Sequence, residues 1–214
     1  MYTAEELLNL QMKPRINDIT IKVLADYYAF FLNPFIYKYT LKSNPLKSFE
    51  LWFDKENFCH LLGLETIAKN SVPFKKLHNY KGIDGWHNIY GENEDDFILD
   101  IPHLKTLNKK NFKSIKAKFV YFYLLPTLIR DPLSVIFKNE NVSPPTKIDC
   151  DIMFYSKAKN DNAIIHLGIK QDEQLGYYIP KTFFIEKVSS KQDDIYLAKQ
   201  EEIEITVLNR TIML

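Results

Sequence analysis

Hydrophobic positions in the first quarter of the chain recur at helical spacing and then change to alternation. The pattern predicts helices over 4–10 and 19–32 and strands over 35–41 and 49–53. Ser43-Asn-Pro45 has the composition of a turn, so the two strands are predicted to pair as a β-hairpin. Asp54 is a good N-cap residue, and a third helix is therefore predicted to begin at Lys55.

The middle of the chain shows little regularity before residue 104. Residues 70–100 contain three glycines and an acidic run at 92–96, and they are predicted to form a long surface loop that can cover a site. Helical spacing returns over 104–130, where phenylalanines recur on one face and Pro126 starts or kinks the last turns.

After Asp131-Pro132 the pattern is that of β-strands. Strands are predicted over 134–138, 150–156, 163–170, 177–187 and 203–208. Helices that come first and strands that come last indicate an α+β fold, in which N-terminal helices and the β-hairpin pack on a C-terminal antiparallel meander of roughly four to five strands. We expect a single domain over 1–214, in which 1–48 is an extension with the first hairpin strand, 49–130 carries a histidine-bearing helix, loop and long helix, and 131–214 is the sheet.

The composition is that of an ordinary globular protein, with 214 residues of which 46% are hydrophobic. The net charge of +1 neither requires nor excludes a polyanionic partner, so only the arrangement of the charges is informative. Of the 28 basic residues, all but Arg15, Arg130 and Arg210 are lysines.

The cysteine count and the N-terminus bear on where the protein acts. Cys59 and Cys150 are too few for a disulfide framework or a four-cysteine zinc site, which favours a reducing compartment. We see no basic segment followed by an apolar run at the start, and no window approaches the about 18 apolar residues of a membrane span. A cytoplasmic protein that does not bind membranes is expected. Glycine-rich nucleotide motifs, the serine hydrolase motif and the zinc protease motif are absent, so neither a cofactor nor a metal is expected.

One histidine stands out because it lies inside an apolar helical segment. Phe58, Leu61 and Leu62 form the stripe of the helix that follows Asp54, and His60 falls at the edge of that stripe. An imidazole there is either a hydrogen-bonded core residue or a proton-transfer group, since its reference pKa of about 6.5 suits both. Gly63 is a poor helix former, and a glycine there is explained if another backbone or a ligand comes close to the imidazole.

Two segments carry a resemblance to a known family. Asn57-Phe-Cys-His-Leu-Leu-Gly-Leu64 after an aromatic strand, together with Tyr177-Tyr-Ile-Pro-Lys-Thr-Phe-Phe-Ile185 in the late meander, resembles the phage-associated branch of the barnase, EndoU, colicin and RelE-like nucleases. The resemblance implies a small ribonuclease or toxin that cleaves RNA without a metal, by attack of the neighbouring 2′-hydroxyl. It also implies that His60 transfers a proton and that a hydroxyl residue on a late strand, here Thr182, faces the cleft.

Further candidates accompany these two catalytic residues. Thr182 is otherwise explained as a β-favouring residue in a sheet. His166 alternates with the apolar residues of its strand, so it is a candidate second proton carrier that faces the cleft. Lys170 and Lys157 are candidate phosphate contacts, although a lysine at a strand end is commonly just solvated.

The arrangement of lysines points to a nucleic-acid backbone. Six lysines and no acid lie within 105–118, and Lys109, Lys113 and Lys116 share a helical face opposite the phenylalanines. A solvated lysine face explains the same pattern. Arg130 is a candidate phosphate clamp or a simple C-terminal helix cation, and Trp86 is a candidate stacking platform for RNA bases or an anchor for its loop.

The hypothesis from the sequence is a metal-independent endoribonuclease of toxin or phage-conflict type. Its partners would be an RNA substrate and a possible protein inhibitor or antitoxin. The alternative is a catalytically inactive relative that binds RNA or a protein to regulate or block a phage-defence system. A structural or assembly protein is a third possibility, and it predicts neither cleavage nor RNA binding.

Overall fold

The computed structural model describes residues 1–92, 97–188 and 194–212, and it confirms the α+β class. The helices are α1 (Ala4–Leu8), α2 (Ile21–Phe31), α3 (Lys55–Leu62), α4 (Leu64–Ala68), α5 (Gly82–Tyr90), α6 (Ile101–Leu107), α7 (Lys109–Tyr121) and α8 (Leu125–Arg130). The strands are β1 (Phe35–Leu41), β2 (Asn44–Trp52), β3 (Leu133–Ile136), β4 (Ile152–Lys157), β5 (Ala163–Gln171), β6 (Tyr178–Lys187), β7 (Glu201–Ile203) and β8 (Ile205–Ile212).

These elements form two compact units, each built from two stretches of chain. The helical unit consists of Met1–Asn33 and Asp54–Tyr123, and the sheet unit consists of Pro34–Phe53 and Leu124–Leu214. The boundaries of these units lie at 33/34, 53/54 and 123/124, whereas the division at 48/49 and 130/131 stays a prediction from the sequence. The single domain over 1–214 stays a prediction. Within the described ranges no helix is long and apolar enough to cross a bilayer.

The helical unit is held by an aromatic cluster around α3. Phe58 meets Trp86 edge to face at a centroid distance of 5.4 Å and Phe122 at 5.6 Å. Tyr28 packs on Phe58 and donates its hydroxyl proton to the Asp54 carbonyl at 2.7 Å. Aromatic pairs of this geometry stabilise a core beyond the area they bury, so α2, α3 and α5 have fixed positions within this unit.

The prediction of a surface loop over 70–100 is wrong for most of its length. A 3-10 helix spans Phe74–Tyr80 and α5 follows at once, while 93–96, which hold most of the acidic run, lie outside the described residues. The glycines misled the prediction because they serve helix packing. A side chain at Gly85 would stand 2.8 Å from the Cys59 sulfur, and Gly91 ends α5 in a left-handed conformation with φ of 67°. Trp86 lies on α5 and is only 4% exposed. The prediction that it forms an exposed stacking platform is therefore wrong.

The sheet contains eight strands in the order β7-β3-β4-β5-β6-β2-β1-β8 across the described residues. The antiparallel meander is confirmed as β3 to β6, and the β1–β2 hairpin is confirmed as well. The hairpin does not pack on the meander, however. It joins the same sheet, because Leu51 of β2 pairs in parallel with Tyr178 of β6. The predicted strand at 203–208 is also divided, with β7 pairing to β3 and β8 pairing to β1 at the other edge.

Both faces of the central strand β5 are covered. On one face Tyr39 packs on Phe154 and donates to the Ile129 carbonyl of α8 at 2.7 Å. On the opposite face a second apolar cluster includes Val135, Val142 and Met153. Burial on both sides explains why β5 reads as a nearly continuous apolar run.

Candidate functional site

The first candidate group is His60, which lies in the last turn of α3. Asp54 caps the start of this helix, and its backbone N–H donates to the Asn57 side chain at 3.1 Å. Cys59, Leu61 and Leu62 are fully buried, whereas His60 is exposed. The interpretation of His60 as a sealed core residue is therefore wrong, and the imidazole is accessible to a substrate.

The end of α3 is packed against α7 by way of a glycine. Gly63 has φ of 74°, the left-handed conformation of a helix C-cap, and a side chain built there would stand 3.3 Å from Ile115. Its backbone N–H donates to the His60 carbonyl at 2.9 Å. The groups that approach Gly63 are the Ile115 and Lys118 side chains of α7, whereas the approach of a backbone or a ligand to the imidazole stays a prediction.

Lys118 is a notable residue that the sequence reasoning did not select. It reaches from α7 to the end of α3, where its ammonium donates to the Leu61 carbonyl at 3.3 Å. Burial lowers its pKa from 10.5 to about 8, because desolvation disfavours the charged form. The available signal was its position, since Lys118 follows Ile115 by three residues and so lies at the edge of the apolar stripe.

The solvent side of α7 carries the predicted lysine face. Lys109, Lys113 and Lys116 are all exposed, as is the neighbouring Lys110. Asn108 caps the helix by accepting from the Asn111 N–H at 2.9 Å, and Asn111 in turn donates to the Thr66 carbonyl of α4 at 3.0 Å. The helical unit thus brings an exposed imidazole and a row of cations onto two adjacent helices.

Thr182 lies in the sheet unit, partly exposed on β6. It is paired with Gly168 of β5, and a side chain at Gly168 would stand 2.6 Å from the Thr182 methyl carbon and 2.8 Å from the Cys150 sulfur. Burial raises the pKa of the Cys150 thiol to about 12, so this sulfur is an inert packing atom. Gly168 is thus required for the position of the Thr182 side chain.

Gly168→Ala is expected to lower the free energy of unfolding by about 1–3 kcal/mol, because overpacking forces neighbouring side chains or strands to move. Chemical denaturation followed by circular dichroism measures the loss. Adding Thr182→Ser removes the methyl group at 2.6 Å and should restore part of the stability. A Gly168→Ala protein as stable as the original would show that this packing is not tight.

His166 is not where the sequence placed it. The ring is fully buried, so the prediction that it faces an open cleft is wrong. Its Nε2 lies 2.7 Å from a carboxylate oxygen of Asp194, and it stacks on Phe184 at a centroid distance of 4.4 Å. Tyr196 packs on both rings. The segment that begins at Asp194 covers this face of the sheet, which alternation along β5 does not reveal.

The remaining predicted cations are spread over the sheet unit. Lys170 is bound by both carboxylate oxygens of Asp149, at 2.6 and 2.8 Å, so its charge is already paired. Lys157 is exposed at the end of β4, and Arg130 is exposed at the end of α8. The positive charges of Arg210 and Arg130 act on the Tyr37 hydroxyl, but burial dominates and raises the pKa of Tyr37 to about 12.

Potential metal ligands do not gather in the described ranges. No three His, Cys, Asp or Glu side chains there approach one another as in a metal site. The chemistry that the helical unit offers is proton transfer at His60 beside a cationic helix, and the sheet unit offers the Thr182 hydroxyl with dispersed cations.

An α+β protein with an accessible helix-borne histidine and a lysine-rich helix has the parts expected of a protein that acts on nucleic acids. The chain belongs to the family described as phage-Barnase-EndoU-ColicinE5/D-RelE like nuclease 4, whose model matches residues 20–209. No curated protein and no solved structure matches it.

Proposed function

We propose that this nuclease cleaves RNA without a metal ion, by attack of the neighbouring 2′-hydroxyl, with His60 as a proton-transfer group. The observation that carries the proposal is the exposure of His60 in a chain of a nuclease family. Among the described histidines, His166 is buried and has no access to a polymer.

The reaction has three requirements. A base takes the 2′-hydroxyl proton while the 2′-oxygen bonds to phosphorus, and an acid protonates the 5′-oxygen as its bond to phosphorus breaks. Donors must also stabilise the charge on the phosphorane. We assign one proton transfer to His60. Separately, the Thr182 hydroxyl of the sheet unit is proposed as a contact for an RNA phosphate. The products are a 2′,3′-cyclic phosphate and a 5′-hydroxyl.

Cleavage of a mixed-sequence single-stranded RNA in EDTA tests this chemistry. The expected result is shorter RNA with cyclic phosphate ends, detected by mass spectrometry. Cleavage that needs an added divalent ion, or products with 5′-phosphates, would contradict the mechanism. Intact RNA that is nevertheless bound with a steep salt dependence would favour the inactive, RNA-binding relative instead.

The lysine face of α7 is proposed to hold the RNA backbone. Replacing Lys109, Lys113 and Lys116 together by Gln should weaken binding of a 2′-O-methyl RNA, which lacks the attacking hydroxyl. It should also reduce the slope of log affinity against log salt by about 2, since each neutralised phosphate releases counterions. Fluorescence polarisation measures both. The matched control replaces three other exposed lysines, Lys75, Lys76 and Lys159, and a slope that falls equally in the control would contradict a localised contact.

Growth arrest upon expression tests the toxin assignment. A ribonuclease that cleaves cellular RNA is expected to stop growth of the expressing cell, and co-expression of a cognate protein inhibitor is expected to restore it. Normal growth with active enzyme present would contradict a toxin role.

A further inference from the structure

We infer that the sheet unit carries a binding groove for a nucleobase, built on the stacked rings of Trp52 and Tyr177, which selects adenine, cytosine or guanine over uracil. The inference rests on the proposed function in that it assigns the base to single-stranded RNA. It concerns binding rather than cleavage, and none of its residues belongs to the proton-transfer chemistry proposed above.

The aromatic wall of this groove consists of two stacked rings of the sheet unit. Trp52 at the end of β2 and Tyr177 just before β6 stack with their centroids 4.3 Å apart and their planes within 6° of parallel. Both side chains are partly exposed. Flat aromatic surfaces that reach solvent are the usual platform for single-stranded bases, because every base has a face that can stack.

The groove has the size of a small-ligand site. Its volume of about 480 Å³ lies within the range of about 300–1,000 Å³ that is typical for such sites. One side is formed by β1 and β2, and the other by the turn before β6. Gly176 in that turn has open space where a side chain would stand, so the groove is not closed from this direction.

The groove offers a carboxylate for the hydrogen-bonding edge of a base and an ammonium group for a phosphate. Ser48, Glu50 and Trp52 alternate along β2 and line the groove together, and Lys38 is paired with Glu50 across the hairpin. Trp52 Nε1 donates to one carboxylate oxygen of Glu50 at 3.3 Å, which orients the carboxylate. Within the described residues no donor reaches the second oxygen of Glu50, so that oxygen can accept from a ligand.

A carboxylate acceptor discriminates among the bases. Adenine and cytosine each present an exocyclic amino group, and guanine presents two adjacent N–H donors. Uracil has one N–H between two carbonyl oxygens, which would face the carboxylate with like partial charge. The Lys38 ammonium supplies the positive charge that a neighbouring phosphate needs.

The test uses fluorescein-labelled 2′-O-methyl hexanucleotides of A, C or U, which cannot be cleaved by 2′-hydroxyl attack. Polarisation should show that the A and C hexamers bind about tenfold or more tightly than the U hexamer. Tyr177→Ala should weaken the A and C hexamers by about tenfold or more, as expected for the loss of a stacking surface. Glu50→Gln should remove the preference over U, because an amide both donates and accepts. Glu173→Gln is the control and should change nothing, because Glu173 is exposed and is close in sequence to Leu175 of the groove but does not line it.

Equal binding of all three hexamers, or binding that neither Tyr177→Ala nor Glu50→Gln alters, would overturn the inference. If RNA is cleaved in EDTA but the hexamers bind equally or neither variant changes their binding, the nuclease proposal stands and the base groove fails. If the base preference and both variant effects appear without any cleavage, the groove stands and the nuclease proposal fails.

Discussion

His60→Ala is expected to reduce the rate of RNA cleavage by about 10²–10⁴-fold, the range that a positioned general acid or base contributes. The imidazole is exposed at the end of α3, so its removal creates no cavity. The free energy of unfolding should therefore change by no more than about 0.5 kcal/mol. Initial rates on a fluorescent RNA, measured beside a denaturation curve, give both values.

His78→Ala is the matched control, because His78 is another exposed histidine of the helical unit. It should leave the cleavage rate unchanged. A His60→Ala enzyme that keeps its full rate while folding normally would remove the proton-transfer assignment, even if the protein proved to be a ribonuclease.

Lys118→Met is expected to raise the free energy of unfolding at pH 7 by about 1–3 kcal/mol. Burial lowers the pKa of Lys118 to about 8, whereas the unfolded chain keeps the ordinary value of 10.5. Each unit of difference corresponds to about 1.4 kcal/mol, so a charged Lys118 destabilises the folded state by up to about 3 kcal/mol. Loss of the hydrogen bond to the Leu61 carbonyl offsets about 1 kcal/mol of the gain.

The same shift sets a pH dependence with a definite sign. Below about pH 8 both states carry the proton, and the folded state bears the full desolvation penalty. Between about pH 8 and 10.5 only the unfolded state keeps the proton, so the stability of the original protein rises with pH across this window. Lys118→Met should lack this rise. Lys116→Met, at an exposed position of the same helix, should retain it, and parallel curves for the original and Lys118→Met proteins would refute the assignment.

Local patterns predicted the elements that have local causes. The helix at Lys55 follows from Asp54 and the apolar stripe, and β3 to β6 follow from β-type runs separated by turn residues. The partners of strands that are distant in sequence were not predictable. Nothing in the alternation of 203–208 shows that Ile203 ends one strand beside β3 while Ile205 begins another beside β1.

The candidate site was predictable to a similar extent. The lysine face follows from helical periodicity, which sets the direction of each side chain. Periodicity placed His60 at the edge of its apolar stripe and left open whether the ring is buried or exposed. His166 shows the limit of this reasoning, because alternation gives its face of the sheet but not the segment from Asp194 that covers that face. The approach of Lys118 to Leu61 depends on tertiary packing and has only a weak trace in the sequence.

The pairing of β1 with β8 has a consequence for biosynthesis. The last residue of the helical unit is Tyr123, whereas β1 lacks one of its two neighbours until Ile212 has left the ribosome. Translation adds about 5–20 residues per second, so several seconds pass between the synthesis of Tyr123 and that of Ile212. During this time β1 can pair with β2 but not with β8. The sheet is therefore completed only after translation has passed its final strand.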